Sequence, residues 1–68
     1  MDNLKEIISQ NIVYLRKYKK LTQLDLAEKI SYSDKAISRW EKGESLPDVE
    51  TLYKLSEVFE VPVGYFFE

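Results

Sequence analysis

Residues 21–43 read LTQLDLAEKISYSDKAISRWEKG. Thr22 stands where an N-cap belongs, and Asp25 three residues on completes a capping box. Leu26, Ala27 and Ile30 then share one face of a short helix over 23–30. Ala27 is small enough to let a second helix approach closely, as a tight corner requires. Ser31-Tyr32-Ser33 interrupts the pattern, and Ser33 caps a further helix over 34–42. Gly43 ends that helix, since glycine readily takes the positive φ found just past a last helical turn.

The helix after Ser33 has two unlike faces. With Asp34 at zero, Ser38, Lys42, Lys35 and Arg39 fall at about 40°, 80°, 100° and 140° around the axis, and Ala36, Trp40 and Ile37 at about 200°, 240° and 300°. One arc carries only hydrogen-bonding groups and the other only apolar ones. Trp40 lies on the apolar side, which makes it a core residue rather than a stacking platform.

Working outward, Leu4, Ile8, Ile12 and Leu15 recur at helical spacing and predict a helix over 4–18. Lys17, Lys19 and Lys20 follow, where cations complement a helix C-terminus. Downstream, Glu44-Ser45-Leu46-Pro47 is a loop and Asp48 caps a helix over 49–59, with Val49, Leu52, Leu55, Val58 and Phe59 as its apolar set. Val61-Pro62 opens a last short helix, 63–67. Short connections and no alternating strand pattern predict an all-α, compact five-helix bundle, one domain over 1–68.

Composition narrows the function. A 68-residue chain supports one domain with a thin core margin. It contains no cysteine and no histidine, which removes disulfides, thiolate metal sites, and the commonest general base and zinc ligand. No convergent acid pair or phosphate-cradling loop replaces them, so neither an enzyme, a metal nor a cofactor is expected. No apolar run approaches the roughly 20 residues of a membrane helix. The opening MDNLKEIISQ lacks the basic start and apolar block of a signal peptide. The expectation is a cytoplasmic protein with no membrane partner.

The net charge of −2 is unevenly spread. Through Gly43 there are nine basic and six acidic side chains, net +3; after it there are one and six, net −5. A polarised chain says more about partners than its total charge does.

The run LRKYKKLTQLDLAEKISYSDKAISRWEKGESLPDVETLYKLSEVF, residues 15–59, resembles the Cro/C1-type helix-turn-helix domain of phage repressors and xenobiotic-response-element (XRE) regulators. The resemblance extends over about residues 8–67. It rests on a combination: Leu-Thr-Gln at a helix start, Leu26-Ala27 inside it, Ser-x-x-x-Ile-Ser-x-Trp-Glu-x-Gly from Ser33 to Gly43, and Leu46-Pro47 before a capped helix. It implies a lambda-repressor-like fold whose second and third helices form the motif. It implies double-stranded DNA as partner, read through the major groove by a homodimer. Asp34, Lys35, Ser38 and Arg39 match the family's base-reading face. Thr22, Gln23, Ser33, Lys42 and the Gly43 amide match its phosphate-contacting positions, with Gln23 also able to buttress the recognition helix. Arg16 and Glu41 match a structural ion pair.

The chemistry agrees with those roles. The major groove is about 12 Å wide and admits one helix, Arg and Lys donors fit guanine O6 and N7, and Asp accepts from cytosine N4. Arg39 is the first choice for a base contact and Lys35 the second. Asp34 has an alternative role in capping its own helix. Three positions depart from the family. Ser31 stands where glycine is usual, Leu24 where a polar residue is usual, and Tyr32 where a small aliphatic one is. Tyr32 either fills more core or turns its hydroxyl toward the DNA backbone. Tyr14, Tyr18, Tyr53 and Tyr65 read as surface or interface residues. Tyr65-Phe66-Phe67 is either a dimer element or, for Phe66, closure of the chain's own core. The expected function is a transcriptional repressor on a palindromic operator. The alternative is a protein-interaction module of antitoxin or antirepressor-partner type. Nothing in the chain names an effector.

Overall fold

Ile8, Ile12 and Leu15 form a continuous buried stripe along α1 (Leu4–Tyr18). In the computed structural model, which describes residues 3–68, this stripe is the spine of the core. Met1 and Asp2, where the stretch read against a signal peptide begins, lie outside the described residues. Leu26, Ala27 and Ile30 of α2 (Gln23–Ile30) close on the stripe. So do Ile37 and Trp40 of α3 (Asp34–Glu41), and Leu52, Leu55 and Phe59 of α4 (Val49–Phe59). No strand occurs among the described residues. Leu4 and Val49, expected on apolar stripes, are instead exposed, and at 83% Val49 is almost bare.

Two expectations need correction. The fifth helix is not α-helical. Val63–Phe67 forms a single 3-10 helix, so the bundle has four α-helices and one tighter turn. Five residues after Pro62 give an α-ladder almost nothing to propagate. Its end is held from outside instead: Asn11 Nδ2 donates to the carbonyls of Tyr65 (3.2 Å) and Phe66 (3.0 Å). This pins Phe66, fully buried, against Phe59 with ring centroids 6.3 Å apart. Helix α3 also stops at Glu41 rather than Lys42. Gly43, at φ 74°, already turns the chain into the closing loop.

All four α-helices end the same way. Lys20, Ser31, Gly43 and Glu60 take φ of 60°, 62°, 74° and 61°. The next amide in each case reaches back over the turn: Leu21 to Arg16, Tyr32 to Ala27, Glu44 to Arg39 and Val61 to Ser56. These are Schellman closures, and three of them put a Cβ into left-handed backbone. Ser31→Gly relieves that cost, less the extra freedom of glycine in the unfolded chain. It is expected to stabilise by roughly 0.5–1 kcal/mol and to raise the melting temperature by about 3–6 °C. An unchanged melt would mean that serine meets no strain there.

The helix starts are sensitive to acid. The backbone N–H of Thr22, then its hydroxyl, hold the Asp25 carboxyl below its ordinary 3.8. The hydroxyl of Thr51, then its backbone N–H, do the same for Asp48. A lowered folded-state value means that the fold favours the ionised form. The stability linked to these groups is fully present above the unfolded value and lost as pH falls through the lowered one. The melting temperature is therefore expected to drop below about pH 4, and Asp25→Asn with Asp48→Asn to flatten that decline. An identical decline in the double variant would assign the acid sensitivity to other groups.

Candidate nucleic-acid interface

The α2–turn–α3 unit is held by its own caps. Asp25 N–H donates to Thr22 Oγ1 and Thr22 N–H to Asp25 Oδ2, both at 2.9 Å. Ala36 N–H donates to Ser33 Oγ at 3.2 Å. The Thr22 amide and hydroxyl are thus both engaged with Asp25 within the box, while the hydroxyl proton of Ser33 is spared for an outside acceptor.

Asp34, Lys35 and Arg39 lie exposed on the outer face of α3, with Ser38 half-buried beside them. Among the described residues none of the three charged groups forms an ion pair. Their cationic and acceptor groups are therefore left to solvent or a ligand. Lys42 is exposed as well. The Gly43 amide is not free, because it donates to the Trp40 carbonyl at 3.1 Å inside the closing turn. The geometry gives Gly43 a turn-forming role at this corner.

Behind that face, Glu41 is the meeting point of three helices. Its carboxylate accepts from Arg16 Nε, from Arg16 Nη2 at 3.1 Å and from Gln23 Nε2 at 2.9 Å. Arg16 Nη1 continues to the Leu21 carbonyl at 2.8 Å. One helix-start amide, one guanidinium and one carboxylate therefore tie α1, α2 and α3 together. One proton of the Gln23 amide is committed inward. Leu24, next in line, is 54% exposed at the start of α2.

Three contacts had no sequence signal strong enough to find them. Asn11 supports the 3-10 helix, as described. Lys19 Nζ reaches Glu60 Oε1 at 2.7 Å, joining the ends of α1 and α4. The hydroxyls of Tyr32 and Thr51 are hydrogen-bonded at 2.9 Å, so the Tyr32 hydroxyl turns toward α4. The Tyr32 ring also packs on Trp40 at 5.2 Å.

This arrangement matches known proteins. The family model for helix-turn-helix domains designated HTH_3 covers residues 12–66. The HTH-type transcriptional regulator YqaE of Bacillus subtilis is 36% identical over 59 residues, 87% of this chain and 51% of its own. The HTH-type transcriptional regulator DicA of Escherichia coli is 40% identical over 53 residues, 78% of this chain and 39% of its own. The HTH-type transcriptional activator BcrR of Enterococcus faecalis is 40% identical over 55 residues, 81% of this chain and 27% of its own. The chain thus spans about a quarter to a half of the length of these relatives. Among solved structures, the SOS-response repressor LexA of Eubacterium rectale superposes over the whole chain and 72% of its own, with a TM-score of 0.92 and 26% identity. The P22 c2 repressor, solved with a synthetic operator, superposes over 90% of this chain and 92% of its own, with a TM-score of 0.84 and 31% identity. No helix among the described residues is long and apolar enough to cross a membrane. With its motif, helix order and capped recognition helix accounted for, the chain belongs to the Cro/C1-type (XRE) helix-turn-helix family of DNA-binding transcriptional regulators.

Proposed function

We propose that this chain is a repressor that binds a palindromic operator as a homodimer, with α3 in the major groove. The observation that carries this is the outer face of α3. Asp34, Lys35, Ser38 and Arg39 point away from a helix whose other side is fixed by Ile37, Trp40 and Glu41. Arg39 and Lys35 offer donors suited to guanine, and Asp34 and Ser38 are assigned to neighbouring base edges. The Lys42 ammonium, the second Gln23 amide proton and the Ser33 hydroxyl are assigned to phosphates on either side. Gly43 keeps the turn in register. The likeness to P22 c2, a repressor solved on an operator, supports the repressor reading.

Size supports the dimer. The longest extent of the molecule is 32 Å, whereas half-sites lie about 34–36 Å apart along the DNA axis. One copy presents one recognition helix to one half-site, so a palindrome takes two.

Selection from a random DNA pool followed by salt titration tests the reading. An enriched palindrome is expected, with affinity falling steeply with salt as phosphates release counterions. Arg39→Ala is expected to relax preference at one base position by about 1–3 kcal/mol. Gln23→Ala is expected to weaken all sequences alike and to lower stability, because it also removes a donor from Glu41. If no sequence were enriched, or Arg39→Ala kept the full preference, the base-reading assignment would fail. Salt-insensitive or absent binding would favour the protein-interaction alternative.

A further inference from the structure

We infer that Tyr32 is a positioning residue for DNA recognition, through which α4 sets the roll of α3 about its own axis. The inference rests on α3 being the base-reading helix. Helix α3 packs on α1 and α2, whereas α4 packs on α2 and the 3-10 helix. The two are linked by a side chain from the turn between α2 and α3. The Tyr32 ring lies 5.2 Å from the Trp40 ring at 59°, and its hydroxyl is 2.9 Å from Thr51 Oγ1. Thr51 is 2% exposed, and its amide is fixed by Asp48 Oδ1 at 2.8 Å. The far end of the link is therefore rigid.

The roll of α3 is clamped on two flanks. Ile37, fully buried, lies at the centre of the inner face. Trp40 and Glu41 sit on either side of it, about 100° apart around the axis. Arg16 and Gln23 hold Glu41, and Tyr32 backs Trp40. If the Tyr32 support is released, the Trp40 flank of α3 keeps its core packing but loses its tie to α4. The base-reading groups on the opposite arc then rotate away from their donor and acceptor partners. Contacts with phosphates tolerate such a rotation better than bidentate base contacts do.

The test compares Tyr32→Phe, which keeps the ring and removes the hydroxyl, with Thr51→Val and the double variant. Dissociation constants are measured for the selected operator and its single-base variants, at a temperature where all proteins are folded by circular dichroism. Tyr32→Phe is expected to reduce base discrimination by about 3–10-fold, the worth of one hydrogen bond, with an unchanged salt slope. Thr51→Val is expected to match it, and the double variant to be no worse than either. Trp40 is the only tryptophan in the chain, and its emission is expected to shift in Tyr32→Phe before any DNA is added. Tyr32→Phe with a lower melting temperature but an intact preference would overturn the inference, as would strictly additive effects. Absence of any wild-type preference would remove the operator reading itself, a different outcome from a preference that survives the substitution.

Discussion

Glu41→Ala is expected to lower the melting temperature by at least about 12 °C, which corresponds to a loss of about 3 kcal/mol or more. The side chains of Arg16 and Glu41 are only 13% and 8% exposed, so this is not a solvated surface pair of small worth. Removing the carboxylate leaves a guanidinium and an amide facing a gap where three helices meet. The cost comes from the orphaned charge more than from the attraction lost. Glu41→Gln keeps the shape and one acceptor and is expected to lose less. Arg16→Met combined with Glu41→Leu removes both charges and is expected to recover much of the stability. Thermal melts decide the matter. If Glu41→Ala melted within about 3 °C of wild type, the cluster would be behaving as a surface pair.

Phe66→Ala is expected to cost about 3–5 kcal/mol, the usual range for a large buried aromatic. For a chain of this length the whole margin is of the order of 3–10 kcal/mol, so the variant is expected to be largely unfolded at 37 °C. Phe67→Ala, one residue on, is expected to stay within about 0.5 kcal/mol of wild type, since its side chain is 45% exposed. Denaturant unfolding of the two variants measures the contrast, and comparable losses would put Phe67 in the core as well. Phe67 and the half-buried Tyr65 are thus open to an outside partner, and Phe66 is not.

What the sequence made legible follows the reach of each interaction. Caps are local, and Thr22, Ser33 and Asp48 each accept the amide three residues on. Periodicity is local too, and it placed Ile37 and Trp40 inward and Asp34, Lys35 and Arg39 outward. The αL backbone at Ser31 was legible from the family's usual glycine. Illegible were contacts that depend on where distant segments meet. Tyr32 could reach either core or phosphate until α4 was placed beside it. The sequence allows Gln23 to buttress the recognition helix, but it does not reveal the Glu41 carboxylate as the acceptor. The last helix looked like any short apolar helix. Its 3-10 form reflects a helix too short to propagate a ladder, held by Asn11 from across the fold.

That asparagine also sets an order of events during synthesis. Its two acceptors lie 54 and 55 residues further along the chain. At about 5–20 residues per second, a ribosome adds them roughly 3–11 s after Asn11 itself. Every residue of the α2–α3 unit has been made before Phe66 arrives to seal the stripe of α1 and the ring of Phe59. The α2–α3 unit is translated before the element that stabilises it. A nascent chain stalled short of Phe66 would present apolar helices to chaperones rather than a folded helix-turn-helix.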